Sequence, residues 1–185
     1  MVLSSLAQEV SNTLVSTIKG ADDVVSALRS AVKNQIAGTL KDMTDLASSG
    51  MDALFDVVKG SISGAYQVGA SLADAAKDTV SSAIQGVSEV GGNILAATGK
   101  ATSGAVSGAA EVGGDVAGVA VSAVAGAVMA ASAIGASTTD VAKAAVLGAV
   151  KAADEIGSDV GQKVRKALLS AASLPKDVVE SALKG

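Results

Sequence analysis

The sequence predicts an all-α protein, built from a few long amphipathic helices with an 11/22-residue period and folded into a helical bundle or extended helical hairpins. Three observations carry that expectation. A segment recurs every 22 residues, charge avoids one side of the repeat, and the apolar content is Ala, Val and Gly with almost no aromatics.

Taken in chain order, a faint copy surrounds Ile18, Gly20, Ala21 and Val24, and a degenerate one lies near Leu40. Clear copies follow at Ser61-Ile62-Ser63-Gly64-Ala65-Tyr66-Gln67-Val68-Gly69-Ala70 and at Ala83-Ile84-Gln85-Gly86-Val87-Ser88-Glu89-Val90-Gly91-Gly92. The next begin at Ala105, Ala127 and Ala149, and the copy near Ala171 is degenerate again. Small residues also keep step at Ser16, Gly38, Gly60, Ser82, Gly104, Gly126, Gly148 and Ser170. Repeats of this kind make one domain of residues 1–173, followed by a short helix over 174–185 that starts at Pro175, since proline suits the first turn.

Eleven residues make three helical turns at about 3.67 residues per turn. With Ser61 as position one, apolar or small residues favour positions one, two, four, five, eight and nine, which form one arc of roughly 160°. Of the 32 charged residues, 28 fall on the other five positions, where chance would place about 15. A strand has no reason to sort charge with that period. The charged face has a basic edge (Lys33, Lys77, Lys143, Arg165 and Lys176 against Asp22 and Asp154) and an acidic edge (Asp23, Asp45, Asp56, Asp78, Glu89, Glu111, Glu155 and Asp177 against Lys100 and Lys166). Pairing of one helix's basic edge with a neighbour's acidic edge follows as an expectation.

Ile18, Val68, Val90, Val112, Ile134 and Ile156 are the expected centre of the apolar interface face. Gly64, Gly86 and Gly108 border that face on one side, and Gly69, Gly91, Gly113, Gly135 and Gly157 on the other. Each glycine costs about 1 kcal/mol in a helix relative to Ala, and close helix packing would offset the loss. The unbroken phase favours helices that continue through Gly91-Gly92 and Gly113-Gly114, with turns as the alternative. Breaks are expected at Ser48-Ser49-Gly50, from Gly99 to Gly104, and at Ser137-Thr138-Thr139, where a hydroxyl can cap the next helix. Residues 116–139 carry no charge. The mild Ala/Gly/Ser/Val composition and the acidic flanks favour a buried central helix over a membrane span.

Composition also sets the chemistry. With no Cys and no His, thiol chemistry, thiolate metal sites and a conventional catalytic triad are absent. A net charge of −4 argues against nucleic acid, which requires a basic stripe. No phosphate loop or calcium loop occurs, and Phe55 and Tyr66 read as packing residues. The expectation is a non-enzyme with no cofactor, no metal and no small-molecule substrate. The N-terminal segment lacks the features of a signal peptide, so a cytoplasmic location, or one peripheral to an intracellular membrane or granule, is expected.

Over residues 17–170 the periodicity resembles that of exchangeable apolipoproteins, perilipin-type lipid-droplet coats, synucleins and late-embryogenesis-abundant proteins. The Ala/Val/Gly/Ser content without Cys is similar to that of phasin-type storage-granule coats. The resemblance implies a protein that coats a membrane, lipid or storage-granule surface and forms homo-oligomers. A self-assembling structural or stress-protective bundle without lipid is the first alternative. A membrane-inserting or pore-forming protein that uses 116–139 is the second.

Overall fold

The computed structural model describes residues 5–18, 23–41 and 49–185; Gly20, Ala21 and the side chain of Ile18 lie outside them. The described chain has nine helices and no strand: α1 (Ser5–Ile18), α2 (Val24–Lys41), α3 (Ser49–Gln67), α4 (Leu72–Glu89), α5 (Ile94–Glu111), α6 (Val116–Ile134), α7 (Thr138–Ile156), α8 (Ser158–Ser170) and α9 (Lys176–Lys184). The helices are thus many and short, none longer than 19 residues, rather than few and long. From α4 to α7 they start at intervals of 22 residues, so this interval holds one helix and one turn.

The turns have a common chemistry. Gly69, Gly91, Gly113 and Gly135 follow their helices at φ between 70° and 73°, a left-handed conformation that only glycine adopts without strain. The next amide then reaches back five residues: Gly92 N–H donates to the Val87 carbonyl (3.0 Å), and Gly114 N–H to that of Ala109 (2.8 Å). One residue further on, Ser71, Asn93, Asp115 or Ser137 caps the following helix. The Asn93 Oδ1 accepts from Ala96 N–H at 3.0 Å, and the Asp115 Oδ1 from Gly118 N–H at 3.1 Å. Helices therefore stop at Gly91-Gly92 and Gly113-Gly114 instead of running through. The expected break from Gly99 to Gly104 lies inside α5, whereas Ser137 does start α7. α3 begins at Ser49, and Ser48 lies outside the described residues.

From α1 to α7 each helix packs chiefly on the helix two places away in the chain: α1 on α3, α3 on α5, α5 on α7, and α2 on α4, α4 on α6, whereas α8 packs chiefly on α7. Consecutive helices fold back on one another, so odd and even helices form two layers around a shared core. The largest fully buried side chains are aliphatic, among them Ile36, Leu54, Ile62, Ile84 and Leu168. Because most of the core is Ala and Val, each side chain removes little surface from water, and stability depends on helices approaching closely. Glycines permit that approach. A β-carbon on Gly104 would lie 2.7 Å from the Phe55 carbonyl, and one on Gly108 2.9 Å from that of Lys59. Gly60 rests directly on the Ala7 backbone, Gly126 on Lys77 and Gly148 on Gly99.

Charge pairs tie the layers. In the even layer Arg29 bridges to Asp78 (2.7 Å) and Lys33 to Glu89 (2.6 Å); in the odd layer Lys59 meets Glu111 (2.8 Å) and Lys100 meets Asp52 (2.7 Å). Asp78, Glu89 and Glu111 of the acidic edge thus each pair with a cation two helices earlier. Only Lys33 comes from the expected basic edge. The two pairs exposed on both sides, Lys33–Glu89 and Lys100–Asp52, contribute about 0–1 kcal/mol each and fix register more than stability.

At the α7–α8 elbow, Arg165 donates two hydrogen bonds to Asp154 at 2.7 and 2.6 Å. Those bonds hold the Asp154 carboxyl below its usual range. A lowered carboxylate stabilises the fold above its unfolded pKa and loses that effect as pH falls through the folded value. Asp154→Asn is therefore expected to lower Tm near neutral pH. The gap from wild type should close as pH falls below about 4. A gap independent of pH would remove the ion pair as its cause.

Candidate interaction surfaces

The six residues expected to form one apolar face are all placed at helix ends. Ile18, Ile134 and Ile156 are the last residues of α1, α6 and α7, Val90 and Val112 are C-caps, and Val68 follows α3. From Val68 onward they are half-buried. Since consecutive helices reverse direction, these ends alternate between the two edges of the stack. Val68, Val90, Ile134 and Ile156 pack against the margin of the core, and the set forms no single surface. Among the glycines expected to pack helices, Gly64, Gly86 and Gly108 do so: a β-carbon on Gly64 would lie 3.2 Å from the Ser11 carbonyl oxygen, and one on Gly86 3.1 Å from the Ile36 side chain. Gly69, Gly91, Gly113 and Gly135 are turn residues, and Gly157 is extended (φ 166°); a β-carbon on any of these five meets nothing within 4 Å. The strongest packing glycines, Gly60, Gly104, Gly126 and Gly148, belong to the second in-step series visible in the sequence.

Two outward surfaces stand out. On the even layer, α6 buries Val119, Ala120, Ala123, Val124, Ala127, Ala130 and Ala131 against its neighbours. Its outer side carries the exposed Met129, Ser132 and Ala133 and the half-buried Gly118, Val121 and Ala125, of which Val121 and Ala125 also touch the core; none is charged, and Met129 is 41% exposed. The helix ends at Ile134, short of the 116–139 stretch, because Gly135 and Ser137 form a turn and cap. Among the described residues α6 alone is long and apolar enough to cross a bilayer, yet 44% of its most apolar stretch is buried in the protein. It is thus a half-buried layer helix with an uncharged outer face.

The odd layer carries a groove of about 800 Å³ along the outer side of α5. Its floor is low because α5 presents Ala96, Gly99 and Ser103 there; its walls rise from Phe55, Asp52 and Asp56 on α3 and from Leu147, Lys151 and Glu155 on α7. The chain's only Phe lies here, together with Leu95 (47% exposed) and Leu147 (53% exposed). The Ser103 hydroxyl donates to the Gly148 carbonyl at 2.8 Å and helps hold α7 to α5. Sequence reasoning did not single out this site, because its residues come from three non-consecutive helices. The run of small residues from Ala96 to Ser103 was the available signal. Among the described residues no cluster of carboxylates is arranged to hold a metal. Comparison with protein-family models and with curated proteins gives no match.

Proposed function

We propose that the protein is a non-enzymatic coat or binding protein for a hydrophobic interface, such as a membrane, lipid or storage-granule surface, and that it docks through the outer face of α6. The observation that carries this reading is the charge-free outward side of a 19-residue helix, where every other described helix carries charged residues. That face runs about 28 Å at 1.5 Å per residue. It suits shallow seating on an apolar surface, where lysines such as Lys77, beside Met129, can reach out to the polar boundary.

Flotation with neutral phosphatidylcholine liposomes tests the proposal. Wild type is expected to rise with the lipid, and Val121→Asp with Ala125→Asp to reduce the floated fraction at least tenfold at unchanged helicity. Equal flotation of the variant, or wild type that stays at the bottom, would refute it.

A second reading, self-assembly without lipid, draws on the seven-residue spacing of Gly118, Ala125 and Ser132, a small-residue line along which two α6 helices can approach. A wild-type oligomer in sedimentation that dissociates on Ala125→Leu, with no flotation, is the result that favours it.

A further inference from the structure

We infer that the groove over α5 receives one amphipathic helix of a partner protein, with small residues along its contact line and lysine or arginine on the edge that lies over α3. This surface belongs to the odd layer and is independent of the α6 reading. Consider first the glycines within α4 to α7. A β-carbon on Gly86, Gly104, Gly108, Gly126 or Gly148 would meet a neighbouring helix at 3.1 Å or less, and one on Gly118 would meet that helix's own cap, Asp115. Gly99 differs: the nearest atom is the Ala144 carbonyl at 3.9 Å, and the space above it is the groove. A glycine in a helix interior costs about 1 kcal/mol relative to Ala. Gly148 of α7 lies against the Gly99 backbone from one side, but the direction of the missing β-carbon opens into the groove, as that of exposed Gly38 in α2 opens to solvent.

The dimensions agree. Neighbouring helices pack at about 8–10 Å between axes, so a helix seated on α5 at that distance would run roughly 11–14 Å from the axes of α3 and α7, within reach of their long side chains. Phe55 and Leu147 would then close on its flanks. Charge supplies the orientation. Lys100 is taken up by Asp52 at 2.7 Å, which leaves Asp56 on the α3 wall and Lys151 with Glu155 on the α7 wall. The α3 side is therefore acidic and calls for a cationic edge. Charged groups on both walls also set the groove apart from a lipid-binding surface, where unpaired carboxylates would be costly to desolvate.

The test uses the full chain and two fluorescent synthetic helices of Ala and Leu, one with lysines along a single edge and its twin with glutamates there, read by anisotropy. The lysine-edged helix is expected to bind at least tenfold more tightly. Asp56→Lys should reverse that order, and Gly99→Leu should weaken binding at least tenfold with the melting curve unchanged. If Gly99→Leu does not fold, the reversal by Asp56→Lys, at a half-buried position of the α3 wall, decides alone. Binding of neither helix by wild type, equal binding of both, or an order untouched by Asp56→Lys overturns the inference. Failure of liposome flotation leaves it standing.

Discussion

Gly126→Leu is expected to destabilise the protein by about 3 kcal/mol or more, measured as the shift in urea unfolding free energy. Gly126 of α6 lies on the Lys77 backbone of α4, so even a β-carbon falls on a carbonyl group that belongs to a helix and cannot swing aside. Leucine would push α6 from α4 and open the Ala/Val contacts along the even layer. These contacts are weak individually and depend on distance, so a small separation affects many at once. Gly135→Ala is the matched comparison. Its φ of 72° strains any other residue, but the space around it is open, and the expected cost is only about 1 kcal/mol. A Gly126→Leu loss no larger than that of Gly135→Ala would mean that close approach is not what holds the layers together.

Lys59→Met is expected to cost about 3–5 kcal/mol, and adding Glu111→Leu to recover most of it. The two side chains are 6% and 13% exposed, and their contact at 2.8 Å is an ion pair without the alignment of a good hydrogen bond. Removing the cation leaves a carboxylate buried between α3 and α5 with its charge uncompensated. Replacing both by apolar groups of similar volume removes the desolvation cost on each side. A double-mutant cycle in urea measures the coupling. Two single losses that simply add would show that the charges do not depend on each other.

The helical class, the 22-residue interval and the sidedness of charge were legible because each is a property of local spacing. The continuity of the helices was misread for a definite reason. Eighteen helical residues and a four-residue turn together make 22, twice eleven, so the phase of apolar positions is restored after every turn as though no turn had occurred. What marks the turns is chemical: glycine followed two residues later by Ser71, Asn93, Asp115 or Ser137. Glycine itself was ambiguous. At Gly91 it supplies a left-handed backbone, at Gly104 it admits a neighbouring carbonyl, and the letter is the same. Reading Gly99 to Gly104 as a break confused packing with looping. The groove was hidden more deeply, since Phe55, Gly99 and Leu147 meet only once alternate helices share a layer.

Skip-one packing also gives the chain a parity. Loss or duplication of one 22-residue unit would send every later helix to the opposite layer, so Gly148 would face a helix it was not shaped for and Lys100 would leave Asp52. Loss or duplication of two units returns each helix to its own side with its partners renewed. Viable length variants of such a chain should therefore differ by about 44 residues, and the helical pair, not the single helix, is the heritable unit of its architecture.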